Sequence, residues 1–163
     1  MRVKAILLVA VLGMGAGLLP RASAQAPAAA KPLATTTTNW DGVGIDLMSV
    51  ERKGSILTVK WAARNQGAKQ AHLIFQLTGN NPTTYVVDED SGTKYYVLTD
   101  KEKHTLASEH EYTGDSYGID DYVEPGGTAR YWMKLPAPPP AVKAISIFFS
   151  KAEPFESVMI ADK

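Results

Sequence analysis

The sequence predicts an all-β domain, an antiparallel β-sandwich of about seven or eight strands. From Val43 onward apolar and polar residues alternate with a period of two, which is typical of half-buried strands. Clusters of Gly, Pro, Asn and Asp interrupt this alternation at short intervals, as turns between strands do. Almost no stretch shows a helical period, and roughly 120 residues are enough to enclose one core between two sheets.

The first strands are predicted at residues 43–50, 55–65 and 69–78. The last two each place four apolar side chains on one face, and His72 and Gln76 lie on the opposite face. The two apolar sets are Leu57, Val59, Trp61 and Ala63, and Ala71, Leu73, Phe75 and Leu77. Turns that contain Asn and Gly end both strands, so an antiparallel arrangement is expected.

The remaining strands are predicted at residues 84–87, 93–99, 128–135, 142–150 and 155–160. The first two flank the acidic sequence Asp88-Glu89-Asp90-Ser91-Gly92, which indicates a hairpin turn. In the strand at 128–135, three inward residues alternate with three outward residues: Ala129, Tyr131 and Met133 with Arg130, Trp132 and Lys134. Residues 100–123 are predicted to be a long irregular loop, and loops of that length in compact domains often carry function.

The N-terminal region predicts export. A short basic start is followed by an apolar run at residues 5–19 and by Ala22-Ser23-Ala24, which together form a secretory signal peptide. We expect residues 1–24 to be the signal peptide, with cleavage between Ala24 and Gln25, and residues 25–40 to be an Ala/Pro/Thr-rich flexible linker. The folded domain is then expected at residues 41–163, in the periplasm or outside the cell, and the apolar run is too short for a permanent membrane span.

Charge and cysteine content exclude several classes of function. The chain has 17 basic and 17 acidic residues, so it lacks the basic excess of a nucleic-acid-binding protein. Cleavage would remove three basic residues and no acidic one, which leaves a net charge of −3. The absence of cysteine excludes disulfides, zinc–thiolate sites and a cysteine nucleophile.

Several turn and strand motifs resemble those of a bacterial immunoglobulin-like envelope family of unknown function, which is similar to secreted mycobacterial immunogenic proteins. The motifs are the apolar strand before Arg64-Asn65-Gln66-Gly67, the hairpin at residues 87–95, the Glu124-Pro125-Gly126-Gly127 turn, Leu135-Pro136-Ala137-Pro138 and residues 154–160. The resemblance covers roughly residues 43–160 and implies an immunoglobulin-like sandwich. It implies no catalytic residues, and the acidic segment at residues 107–123 is longer than in the compact form of the family.

Candidate metal sites in the sequence are weak. His104 and His110 lie near Glu109 and Glu111, but their spacing matches no helical or strand ligand pattern. The hairpin turn at residues 88–92 is rich in oxygen ligands, but it lacks the glycine and glutamate positions of a calcium-binding EF-hand loop. We therefore predict no metal site and no cofactor.

The sequence also lacks the motifs of the common enzyme classes. There is no G-x-S-x-G nucleophile motif, no G-x-G-x-x-G motif and no P-loop. No spacing among the acidic residues indicates the carboxylate pair of a glycosidase. We expect the protein not to be an enzyme.

The most informative segment is residues 107–123, where tyrosines alternate with acidic residues and glycines. Residues 88–124 contain eleven acidic and three basic residues, a local net charge of −8. Tyrosines in loops commonly contact partners, although they also pack back onto their own domain. If the segment binds a partner, the candidate binding residues are Tyr112, Asp115, Tyr117, Asp120, Asp121 and Tyr122.

These observations favour a non-enzymatic binding or accessory module that recognises a protein or an envelope glycan. Recognition would use the acidic tyrosine-rich loop or an open sheet edge, to which a partner can add a strand. The alternatives are a structural envelope protein stabilised by calcium or another metal and, with less support, a small hydrolase.

Overall fold

The computed structural model describes residues 31–108, 111–113 and 116–163, with the side chains of residues 111–113 and 116 left aside. The predicted signal peptide and the first residues of the predicted linker therefore lie outside the described part of the chain. Within that part there is no helix, and twelve strands form antiparallel sheets with one short parallel pair. The strands are β1 (Ala34–Thr37), β2 (Val43–Lys53), β3 (Ile56–Asn65), β4 (Ala71–Gln76), β5 (Tyr85–Asp88), β6 (Thr93–Tyr95), β7 (Glu111–Thr113), β8 (Ser116–Val123), β9 (Thr128–Pro136), β10 (Ala144–Phe148), β11 (Phe155–Met159) and β12 (Ala161–Asp162).

One layer of the sandwich is the sheet with strand order β1-β2-β3-β9, and β12 adds to it by pairing with β2 in parallel. Two smaller sheets, β11-β10-β5-β6 and β4-β8-β7, face this layer. The ring of Trp61 on β3 contacts Phe75 on β4 at 5.6 Å between centroids and Phe149 after β10 at 4.8 Å. Because these contacts reach both smaller sheets, the two sheets together form the second layer.

The core confirms the predicted alternation. The inward residues of β3, Leu57, Val59, Trp61 and Ala63, are fully buried, as are Leu73, Phe75 and Leu77 of the next predicted strand. Tyr131 and Met133 on β9 are buried too, between exposed neighbours. A cluster of aromatic rings around Trp61 therefore joins the two layers.

The predicted turn at Asn65-Gln66-Gly67 has a clear physical basis. The Asn65 side chain is buried; its amide donates to the carbonyls of Lys69 and Val123, and its oxygen accepts from the Gly67 N–H. A Cβ on Gly42 would lie 2.5 Å from the Gly67 backbone, and Gly42 has a φ of +70°. This close backbone approach requires glycine at residue 42.

A buried arginine fixes the proline-rich connection after β9. Arg52 on β2 is only 5% exposed, and its guanidinium donates to the carbonyl oxygens of Pro138, Pro139 and Val142. Its Nε also lies 2.6 Å from the carboxylate of Asp162 on β12. The charge is therefore paired with a carboxylate and hydrogen-bonded to backbone carbonyls, as burial of an arginine requires.

The folded domain begins earlier than the sequence predicted. Ala34–Thr37, assigned to the flexible linker at residues 25–40, form the edge strand β1 and pair with β2. The strand is nearly all threonine and lacks apolar alternation, because its inward positions are only half-buried and one of them, Thr36, is polar. The Thr35 hydroxyl donates to Asp46 at 2.7 Å, a polar cross-strand contact that a hydrophobic pattern does not reveal.

The predicted irregular loop at residues 100–123 is also wrong in its second half. Residues 116–123 form β8, which pairs with β4 along its length and with β7 at its start. The inward residues Ile119 and Val123 are buried, but the inward position between them is Asp121. This single acidic residue interrupts the apolar alternation and hides the strand. Shorter strands of two to four residues account for much of the excess over the predicted seven or eight.

Candidate functional site

The structure places several of the predicted binding residues on β8, in the middle of the sheet β4-β8-β7. Asp120 and Tyr122 lie on its outer side, while Ile119 and Val123 face the core. The acidic tyrosine-rich segment is thus partly a paired strand, which fixes the side of the sheet on which each of these residues lies.

An exposed cluster forms where β4 and β8 pair. His72 stands opposite Tyr122, and their rings stack with centroids 4.3 Å apart and planes 4° from parallel. The His72 Nε2 lies 2.5 Å from Asp120 Oδ1, and Ile74 stands opposite Asp120. Tyr122 is 59% exposed and Ile74 is 41% exposed. We call these four residues, His72, Ile74, Asp120 and Tyr122, the β4–β8 face.

The neighbouring carboxylate, Asp121, has a different environment. Its Oδ2 accepts a hydrogen bond from the Tyr131 hydroxyl at 2.8 Å, and its Oδ1 accepts from the Tyr122 N–H at 2.8 Å. Burial of Tyr131, together with this carboxylate, raises the pKa of the phenol well above its ordinary value. The contact joins β8 to β9 and so connects the two layers.

A cleft of about 370 Å³ opens beside this contact, between β8 and β9. Asp120 and Asp121 line one wall, and Arg130 and Trp132 line the other. Asp120 thus belongs both to the cleft and to the β4–β8 face. The ladder between β7 and β8 covers only residues 116–118 of β8. Beyond residue 118, the edge of β8 that faces away from β4 pairs with no strand among the described residues, and it borders the cleft.

The other predicted binding residues are less well placed. Tyr117 is half-buried, and its ring approaches that of His104 edge-on with centroids 6.4 Å apart. Tyr112 lies on β7, but its side chain is not described, and Asp115 lies outside the described residues. Of the six predicted residues, the structure therefore places Asp120 and Tyr122 together on the β4–β8 face, and Asp121 beside them on the inner side of β8. Tyr117 lies outside this face.

The two oxygen-rich segments considered as metal sites have different local structures. Asp88, which is buried, begins a hairpin turn and accepts from the N–H of Asp90 and the hydroxyl of Ser91, as predicted for a charged turn. Asp100, Glu102 and His104 bring potential ligand atoms within 4.8 Å of one another on the surface. Glu109 and His110 are further candidate ligands near His104 in the sequence. Both residues lie outside the described part of the chain.

Two members of the β4–β8 face escaped the sequence analysis as site residues. His72 was predicted only to face the surface, which the structure confirms, and Ile74 was not singled out. The missing information was the β4–β8 register, since no local pattern pairs residue 72 with residue 122. An exposed isoleucine on an outward strand position was the one available signal.

Comparison with known proteins adds no further information: no family model, curated protein or solved structure matches the chain. Within the described residues, no helix is long and apolar enough to span a bilayer.

Proposed function

We propose that this protein is a non-enzymatic binding module that recognises another protein through the β4–β8 face. The observation that carries the proposal is the exposed stack of Tyr122 on His72, with Asp120 and Ile74 beside it. The resemblance to immunoglobulin-like envelope domains and the predicted signal peptide support a sandwich of that type in the periplasm or outside the cell.

The composition of the face suits recognition of a protein. Tyrosine provides a large contact area at a low cost in conformational entropy, and here the ring is already held by His72. Ile74 supplies exposed apolar area next to it. A rigid aromatic group with an apolar neighbour is typical of the residues that dominate binding energy at interfaces.

The charge of the face indicates the chemistry of the partner. Asp120 belongs both to the face and to the cleft, which Arg130 on β9 also lines. The segment at residues 107–123 contains five acidic residues and no lysine or arginine. We infer a partner surface that offers apolar groups to Tyr122 and Ile74 and a basic group to Asp120.

A structural role that depends on calcium or another metal is the alternative, and Asp100, Glu102 and His104 are the described residues that favour it. An ion that binds the folded state must raise the melting temperature. Thermal unfolding with and without calcium or zinc therefore separates this alternative from the binding module. Under the proposal, neither ion changes the melting temperature.

Affinity capture from an envelope extract tests the proposed face. The captured proteins are quantified by mass spectrometry for the wild type, Tyr122→Ala and Asp120→Lys. We expect the captured amount of the specific partner to fall by about tenfold or more with both variants, because each loses a central interface residue.

Matched controls come from β11, which carries exposed residues of similar kinds. Met159 is 65% exposed and Glu156 is exposed, so Met159→Ala and Glu156→Lys repeat the two changes away from the face. These variants should capture the partner at the wild-type level. A captured set that is the same for all five proteins would contradict the proposal.

A further inference from the structure

A second surface, on the sheet β11-β10-β5-β6, has the opposite charge from the acidic segment. A cleft of about 610 Å³ lies there, which is within the range of small-molecule sites. It shares no lining residue with the cleft between β8 and β9. Its two charged residues are Lys94 and Lys151, and none of the described residues that line it is acidic. We call it the lysine cleft.

Aromatic rings form the floor of the lysine cleft. Tyr85 on β5 stacks on Phe148 on β10 with centroids 4.9 Å apart and planes 15° from parallel. Tyr96, just after β6, packs against Tyr85 at 5.9 Å and is 42% exposed. The result is a row of rings on one sheet face, with the ring of Tyr96 the most accessible of them.

Both lysines are held by aromatic rings rather than by carboxylates. The Lys94 ammonium lies 4.5 Å from the centroid of Tyr85, and the Lys151 ammonium lies 5.8 Å from the centroid of Trp40. Within the described residues, neither forms an ion pair. Two positioned cations that have no carboxylate partner among the described residues complement an anion.

Polar side chains form the rim of the lysine cleft. The hydroxyls of Thr83 and Ser150 are hydrogen-bonded at 2.5 Å, which ties the loop before β5 to the chain after β10. The exposed amides of Asn80 and Asn81 follow along the same rim. Amides both donate and accept hydrogen bonds, so they match the hydroxyl groups of a sugar.

We propose that the lysine cleft binds an acidic saccharide. The apolar C–H face of a sugar ring packs on Tyr96, the rim amides bond its hydroxyls, and a carboxylate of the sugar pairs with Lys94 or Lys151. An inorganic anion would use only the lysines, and a neutral sugar would use only the rings and amides. An acidic sugar uses all three kinds of group. This proposal does not depend on the partner-binding role of the β4–β8 face.

Calorimetric titration of the wild-type protein with trigalacturonic acid, and with the same trisaccharide as its methyl ester, tests the proposal. We expect one molecule of the acid to bind per chain. The affinity for the uncharged ester should be lower by a factor of about ten or more. The Lys94→Gln/Lys151→Gln double variant should weaken binding of the acid to a similar degree. Tyr96→Ala should weaken binding of both the acid and the ester.

Lys53→Gln is the matched control, because Lys53 is an exposed lysine at the end of β2 and does not line the cleft. It should leave the affinity for the acid unchanged. The proposal is overturned if the acid fails to bind at millimolar concentration, if Lys53→Gln weakens binding as much as the double variant, or if the ester binds as tightly as the acid. Inorganic phosphate that binds as tightly as the trisaccharide would also overturn it.

Discussion

At the residue scale, two consecutive carboxylates on β8 have different roles. Asp120 points outward to His72, whereas Asp121 points inward and accepts hydrogen bonds from Tyr131 and from the Tyr122 N–H. A charge at an inward strand position requires such partners, because desolvation disfavours it otherwise. Asp121 therefore fixes the strand that presents Asp120 and Tyr122, and under the proposed function it is a positioning residue rather than a contact residue.

Removal of the Tyr131 hydroxyl tests this structural contact. Tyr131→Phe keeps the buried ring but leaves Asp121 Oδ2 without its donor, so we expect the free energy of unfolding at pH 7 to fall by about 1–2 kcal/mol. Chemical denaturation measures the difference. Tyr96→Phe, which removes a hydroxyl from an exposed tyrosine, is the control and should change the stability by less than about 0.5 kcal/mol.

The wild type and Tyr131→Phe should also differ in how their free energy of unfolding depends on pH in the alkaline range. The pKa of Tyr131 is raised in the folded protein above its ordinary value of 10.0. Its contribution to stability is complete below that pH and is lost as the pH rises above it, because the unfolded chain ionises first. Wild-type stability should therefore fall more steeply above about pH 10 than that of Tyr131→Phe. Parallel slopes in that range would contradict the burial of the Tyr131 phenol beside Asp121.

At the element scale, strands with simple alternation were predictable, and strands with polar contacts were not. β3 and β9 bury one face fully, so their sequences alternate, and both were predicted nearly to their ends. The inward residues of β1 are only half-buried, so its sequence shows no apolar alternation. In β8, the acidic residue Asp121 takes an inward position and interrupts the alternation. The candidate site was predictable in part for the same reason: Asp120 and Tyr122 came from local composition, whereas His72 and Ile74 depend on the β4–β8 register.

The turns between strands allow a matched glycine test. Gly42 and Gly54 both have positive φ, of +70° and +57°, but only Gly42 lies against backbone, that of Gly67. Gly54→Ala should therefore lower the free energy of unfolding by only about 1 kcal/mol, because the left-handed conformation disfavours alanine. Alanine at residue 42 adds a clash that the Asn65 turn cannot relieve without moving, so we expect a loss of about 3 kcal/mol or more.

Thermal or chemical unfolding of Gly42→Ala and Gly54→Ala measures this difference directly. Equal losses of stability in the two variants would show that the backbone of residue 42 does not approach Gly67 as closely as described.

At the scale of the whole molecule, the sandwich separates two surfaces of opposite charge. Asp120, Asp121 and Arg130 line the cleft between β8 and β9, where the acidic residues are in excess, while Lys94 and Lys151 are the charged residues of the lysine cleft. The overall balance of 17 basic and 17 acidic residues conceals this separation, since it averages over both surfaces and the predicted signal peptide. The two clefts share no lining residue, and so each can be tested without changing a residue of the other.

The measurement that tests the central claim most directly is hydroxyl-radical footprinting of the protein alone and in complex with its captured partner. Tyr122 and Met159 are 59% and 65% exposed, so both react in the free protein. If the β4–β8 face is the recognition surface, the partner should lower the oxidation rate of Tyr122 by about tenfold and leave that of Met159 unchanged. Unchanged oxidation of Tyr122 in the saturated complex would contradict the claim.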